Sequence, residues 1–247
     1  NTVITQITAD AIGVSIKNID LVSPDTFLTP DCGKTSASRQ TYVTGKAAYN
    51  AGLKLRSEIL RLSNMGNDSL ITIEKNEIII SNQGKRQKID LSALQLIENN
   101  YVIVAEETYD PPTTSLDENG QGIPYAVYGY GAQMAEITVD TELGLLKIDK
   151  ITAAHDLGKT INPLLAEGQI EGGIAQGIGF ALMEEYIPSK TENLHDYLIP
   201  SIGDVPEIES ILIEKNDPEG PFGARGLGEH VLIPTAPAIM NALRNAT

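Results

Sequence analysis

The chain has 247 residues, 41% of them hydrophobic, with 33 acidic against 18 basic side chains and a formal net charge of -15. This is enough apolar material for one large core or two smaller ones, which excludes a disordered chain, and so acidic a balance argues against nucleic acid or an anionic membrane as partner. The single Cys32 rules out an intrachain disulfide and any iron–sulfur cluster ligated by this chain alone, so a reducing, cytoplasmic setting is the simplest expectation.

No apolar run approaches the roughly 18 residues of a membrane span, and residues 1–10 lack the basic and apolar regions of a signal peptide. The first residue is not Met and a helical pattern still runs at the C-terminal NALRNAT, which suggests a piece of something larger.

Val3, Ile4, Ile7, Ala11 and Ile12 fall at helical spacing, with Asn1 or Thr2 as cap and Gly13 as stop. A strand is expected over 19–23, then a loop rich in Pro, Asp and Gly that ends in Thr35, Ser36, Ala37 and Ser38. A helix follows over about 39–62, where Gly45, Ala47, Ala48, Ala51 and Gly52 permit close packing. Small hydroxyl residues before a helix serve either as plain N-caps or as an anion site made with the first-turn amides; Lys34 and Arg39 flank them.

The pattern then shifts to strands, with a hairpin around Lys75 and Asn76 and a further strand over 101–109. Residues 110–123 make the best linker on Pro, Gly and charge content, which divides the chain into a first subdomain at 1–109 and a second at 124–247. A long hairpin is expected on both sides of a turn at 142–144.

Asn162 and Pro163 then open a helix reading to Tyr186 that contains five glycines, each costing about 1 kcal/mol relative to Ala. Its GGIAQGIG is no dinucleotide fingerprint, because it lies inside the helical pattern and not between a strand and a helix start. The Gly-xxx-Gly spacings at 168/172 and 173/177 favour close approach of another backbone or of a ligand, and Gln169, Glu171 and Gln176 are available to a polar partner. His155, His195 and His230 have no zinc-ligand spacing and read as surface or hydrogen-bonded residues. A last strand is expected over 208–217. Beyond it GARGLGE, 223–229, ends a run of glycines on a carboxylate, Glu229, presented by a stiff loop.

Several of these stretches, in this order, resemble the molybdenum hydroxylases, the xanthine dehydrogenase and aldehyde oxidoreductase family, in the C-terminal part of their molybdopterin-binding subunit. The anchors are TVITQITADAIGV, DTFLTPDCGKTSASRQTYVTGKAA, AEITVDTELGLLKI, DLGKTINPLLAEGQIEGGIAQGIGFALMEE, YLIPSIGDVPEI and GPFGARGLGE. The resemblance implies that Glu229 is the general base beside molybdenum. It would take the proton of a water-derived ligand as that oxygen attacks an electron-poor carbon, with hydride passing to a terminal sulfido or selenido ligand. It also implies that the 35–38 loop lies next to the metal and pterin, with Ala37 over the substrate position and Thr35, Ser36 and Ser38 near the cofactor, that Gln169 contacts the pterin, and that Gly228 brings its backbone close to the metal ligands. No side chain would ligate the metal, which the pterin dithiolene holds. Arg225 stands where many relatives have Lys.

The implied cofactor is molybdenum with molybdopterin in its cytosine dinucleotide form, with Fe–S clusters and FAD on partner chains. The family's N-terminal half, with its substrate-binding Glu and Arg, has no counterpart here and becomes a further partner, as in enzymes of the nicotinate dehydrogenase type that divide the subunit between two polypeptides. The expectation is therefore an α+β fold of two subdomains, each pairing helices with a mixed sheet. Its function would be hydroxylation of an N-heterocycle of purine or nicotinate type with water. Oxidation of an aldehyde and a non-catalytic scaffold are the alternatives.

Overall fold

The computed structural model describes residues 1–97 and 100–247 and divides into two compact units. The first comprises Asn1–Thr35, Arg39–Pro112 and Glu219–Pro221; the second comprises Ser36–Ser38, Thr113–Pro218 and Phe222–Thr247.

In the first unit α1, Thr2–Ile12, ends at Gly13, whose left-handed backbone (φ 84°) returns its N–H to the Ala9 carbonyl. A single π-helical turn, Gln40–Thr44, precedes α2, Gly45–Ser63. The small residues of α2 do allow close packing. A Cβ on Gly52 would lie 2.7 Å from Ala11 Cβ, and one on Gly45 would lie 3.0 Å from Ile7 Cδ1. Arg56 ties the helices to the sheet by donating to the carbonyls of Ile12, Asn67 and Ser69 at 2.8, 3.0 and 2.6 Å.

The sheet is β1 (Leu70–Glu74), β2 (Glu77–Asn82) and β3 (Lys85–Asp90), paired in that order and antiparallel throughout, so the mixed pairing expected of both subdomains is absent from this one. The hairpin at Lys75 and Asn76 forms as expected. Gln83 and Gly84, both at positive φ, close the next one. The core joins Ile12, Ile59, Leu60, Ile71, Ile78, Ile80 and Ile89.

Two expected strands are not formed. Residues 19–23 follow a 3-10 turn, Ile16–Asn18, as irregular chain, and 101–109 is irregular, with bends at 102 and 103 and no ladder partner among the described residues. Their β-branched residues satisfy a strand pattern locally, but a ladder also needs a free edge in register. The second run instead packs through Tyr109, set edge-on to Tyr42 at 6.3 Å, and accepts Lys54 on Glu106 O and Glu107 Oε1.

The second unit is built on β4 (Tyr130–Asp140), β5 (Leu145–Asp156) and β6 (Glu207–Ile213). β4 and β5 form the long hairpin, and β6 pairs parallel to β5, which requires the crossover that α3, Pro163–Leu182, supplies. Asn162 caps α3 by accepting from Leu165 N at 3.1 Å, with Pro163 at the first helical position. The helix stops four residues short of Tyr186 because the chain folds back on Gly179, where a Cβ would meet Glu184 Oε1 at 2.3 Å.

Ile170, Ile174 and Ile178 of α3 and Ile239 of α4 (Thr235–Ala246) close over Ile151 and Ala153 of β5. The whole is α+β. Among the described residues no helix is long and apolar enough to cross a membrane.

Candidate active site

The site lies in the second unit and is built on the loop that carries Glu229. Gly223 takes φ 90°, and its carbonyl accepts from Lys159 N and Asp217 N, each at 3.0 Å. Ala224 bridges Gly158, and Arg225 N donates to the Leu157 carbonyl at 2.8 Å. The loop is thus sewn to the end of β5 before it reaches a 3-10 turn, Glu229–Val231, whose Val231 is buried in the core.

The other wall is the short segment 36–38. Ala37 and Ser38 both hold φ 53°, a left-handed conformation uncommon for side-chain-bearing residues and kept only where the surroundings over-determine it. Those surroundings are the glycines of the Glu229 loop. A Cβ on Gly226 would stand 2.0 Å from Ser38 O, and one on Gly228 would stand 2.7 Å from Ser38 Oγ. The two glycines are therefore needed to admit Ser38, a reason the sequence did not disclose.

With the segments in contact, the Ala37 amide donates to Glu229 Oε1 at 2.9 Å, and the Glu229 amide donates to Ser38 Oγ at 2.8 Å. The carboxylate is solvent-exposed and held at one oxygen beside a cavity of about 200 Å³, lined by Ala37, Tyr128, Arg225, Glu229, His230 and Ile233 among others. A fixed, accessible carboxylate in a concave wall can accept a proton from a reactant placed there.

Behind this wall lies a histidine pair that sequence spacing concealed. The rings of His155 and His230 are 5.2 Å apart, and His155 has no exposed surface. Gly131 and Gly129 make room for them, since a Cβ would lie 2.3 Å from His155 Nδ1 and 2.8 Å from the His230 ring, respectively. Gln133 stands 3.3 Å from His155 Nε2, donates to Val231 O at 2.7 Å and accepts from Thr235 Oγ1 at 2.7 Å. Burial, reinforced by the neighbouring His230, pushes His155 down to about 4. Burial also lowers His230, against the opposing pull of Asp156. Both rings are neutral near pH 7. His195, by contrast, is exposed.

Of the residues singled out from the sequence, Ala37, Ser38, Gly228 and Glu229 are brought together, with Ser36 leading into them. Thr35 belongs to the first unit, where its Oγ1 accepts from Gln40 Nε2 at 3.1 Å. Gln169 is on the exposed face of α3, one turn before Gly173, and is not among the cavity's lining residues. The α3 glycines divide in the same way. A Cβ on Gly173 would strike Val231 and one on Gly177 would strike Thr235, whereas Gly168 and Gly172 face open space.

Residues 1–206 match the family model described as molybdopterin cofactor-binding domain. Glu229 lies beyond that match but within the span shared with relatives. The chain is 34% identical over 262 residues to the putative xanthine dehydrogenase molybdenum-binding subunit XdhA of Escherichia coli K12, covering all of this chain and 33% of that protein. It is 33% identical to the 6-hydroxypseudooxynicotine dehydrogenase complex subunit gamma of Paenarthrobacter nicotinovorans, covering 99% of this chain and 31% of that one. The crystal structure of the aldehyde oxidoreductase from Desulfovibrio desulfuricans ATCC 27774 superposes with a TM-score of 0.77 at 30% identity, covering 98% of this chain and 25% of that one. The chain thus spans a third or less of the length of these relatives. It belongs to the molybdopterin cofactor-binding domain family of the molybdenum hydroxylases.

Proposed function

We propose that this chain is the C-terminal molybdopterin-binding region of a molybdenum-dependent hydroxylase, with Glu229 as its general base. The observation that carries the reading is the pair of bonds holding Glu229 to 36–38 at the edge of the cavity. The Ala37 amide fixes one carboxylate oxygen, so the basic group is aimed without being buried or paired with a cation.

The residues present fit the cofactor. Ala37 puts only a methyl group on one side of the cavity, and Gly168 and Gly172 leave an open, side-chain-free strip on α3 beside the amide of Gln169. Gln169 would hold the pterin, in the cytosine dinucleotide form; Thr35, Ser36, Ala37, Ser38 and the backbone of Gly228 would border its metal end. When bound, the cofactor supplies an acidified water-derived oxygen and a two-electron acceptor. The chain's own contributions are to orient and exclude. Glu229 takes up a proton at its carboxylate, Ala37 N holds one carboxylate oxygen, and Ser38 Oγ holds the Glu229 backbone amide.

The substrate class is an N-heterocycle of purine or nicotinate type, in keeping with the names of the xanthine and pseudooxynicotine dehydrogenase relatives. The similarity to a solved aldehyde oxidoreductase supports an aldehyde as the second reading. The partners in this reading are the N-terminal half of the molybdopterin subunit and an iron–sulfur chain and an FAD chain, through which electrons leave in the cytoplasm. In the assembled enzyme Glu229→Gln should retain its molybdenum and lose at least about 100-fold in turnover, the lower range for a lost acid–base group. Near-wild-type turnover against a panel of purines, nicotinate and aldehydes would remove Glu229 from the role.

A further inference from the structure

Arg225 lies in the same cavity wall as Glu229, four residues before it, and its side chain is only 10% exposed. Its guanidinium is set between two carboxylates. Nη1 is 3.4 Å from Asp156 Oδ2, and Nε is 3.7 Å from Asp217 Oδ2. Nη1 also donates to the Tyr128 carbonyl at 3.2 Å, and the group lies over the Tyr130 ring, 5.7 Å from its centroid. Asp156 is fixed in turn, since its Oδ1 accepts from Gly158 N at 3.0 Å and from Lys215 N at 3.2 Å.

One side chain therefore joins the end of β5, the segment after β6, the Tyr128 wall of the cavity and the loop that carries the base. Two carboxylates against one guanidinium leave no surplus positive charge, so Arg225 is poorly suited to attract an anionic substrate. Its Nη1 instead reaches Asp156 Oδ2 and Tyr128 O together, whereas the buried Nε has no hydrogen-bond partner among the described residues, so what the group supplies is a positive charge between segments.

We infer that Arg225 is a positioning residue for Glu229, clamping the base loop and the Tyr128 wall in register through Asp156. The inference rests on Glu229 being the base. Its effect belongs to turnover more than to binding, because a base loop that drifts loses reactive geometry without losing the surface that holds substrate.

The test compares R225M, which keeps the stem and removes the charge, with R225K, which keeps both, in the assembled enzyme. R225M should lower kcat at least tenfold, with KM within threefold of wild type and molybdenum content unchanged; R225K should recover kcat to within threefold. D156N should reproduce R225M, and the double variant R225M/D156N should fall no lower than the worse single one, since both remove the same link. If R225M does not assemble, R225Q, which keeps a donor for Tyr128 O, is judged by the same limits. E229Q is measured alongside. If E229Q stays active, the assignment of the base fails. If E229Q is inactive while R225M or R225Q turns over within twofold of wild type, or R225K is as slow as R225M, the clamp alone is refuted.

Discussion

Acid should loosen the second unit through His155, by an amount the structure sets. The ring is fully buried. Gln133 is oriented by its bonds to Val231 O and Thr235 Oγ1, which turns its amide N–H toward His155 Nε2 and makes that nitrogen an acceptor. Protonation would add charge in a dry site beside His230 and set one N–H against another. The folded pKa of about 4 against an ordinary 6.5 means that the unfolded chain takes its proton first as pH falls. The sign follows: the fold loses nothing above pH 6.5, weakens from there to pH 4, and is fully penalised below. The difference corresponds to about 3 kcal/mol. Carboxylates such as Glu214, which backbone and side-chain bonds from Thr160 and Lys159 hold near 2, titrate largely below that window. The assay is urea unfolding of wild type and His155→Gln from pH 7.5 to 4. The variant should be weaker at pH 7.5, and the gap should shrink by about 3 kcal/mol at pH 4. Parallel stability curves would refute the reasoning.

Two glycines separate packing from cofactor space. Gly226→Ala leaves φ tolerable but drives a Cβ to 2.0 Å from Ser38 O, so unfolding midpoints should show a loss of about 1–3 kcal/mol and activity should fall with displacement of the Glu229 bonds. Gly172→Ala meets nothing within 4 Å in the chain, so it should raise helix stability by about 1 kcal/mol while lowering the molybdenum-to-protein ratio measured by metal analysis.

The long elements could be read from local pattern. β4 and β5 alternate on either side of a compact turn, and α3 is announced by Asn162 and Pro163 before its isoleucines close on the sheet. β3 was not legible because KRQKID buries only Ile89, and its pairing is set by the Gln83–Gly84 turn and the edge that β2 offers. The reverse error at 101–109 is related: a strand-like composition does not by itself bring a segment into register with the open edge of β1 or β3. In the site, Glu229 and the 36–38 segment stood out through their glycines and hydroxyls. Tyr128, Asp156, Asp217 and Gln133 did not, and the meeting of Arg225 with the two aspartates and of His155 with His230 was not legible, because each group is gathered from positions far apart in the chain and leaves no periodic trace.

The glycines show most clearly what local reading cannot separate. In sequence all of them mark places where something must come close. In the structure Gly226 and Gly228 admit Ser38, Gly173 admits Val231, Gly177 admits Thr235, and Gly129 and Gly131 admit two histidines. Each is answered by an identified neighbour within the same chain, and together they bring the base, its two hydrogen-bond partners and the rings behind it into one wall. Gly168 and Gly172 have no such neighbour. An exposed glycine in mid-helix costs stability with no packing return among the described residues, so that strip suits the close approach of another backbone or of a ligand. That division makes α3 a two-faced element: its buried glycines admit Val231 and Thr235 beside the turn that carries Glu229, and its open glycines leave a side-chain-free strip.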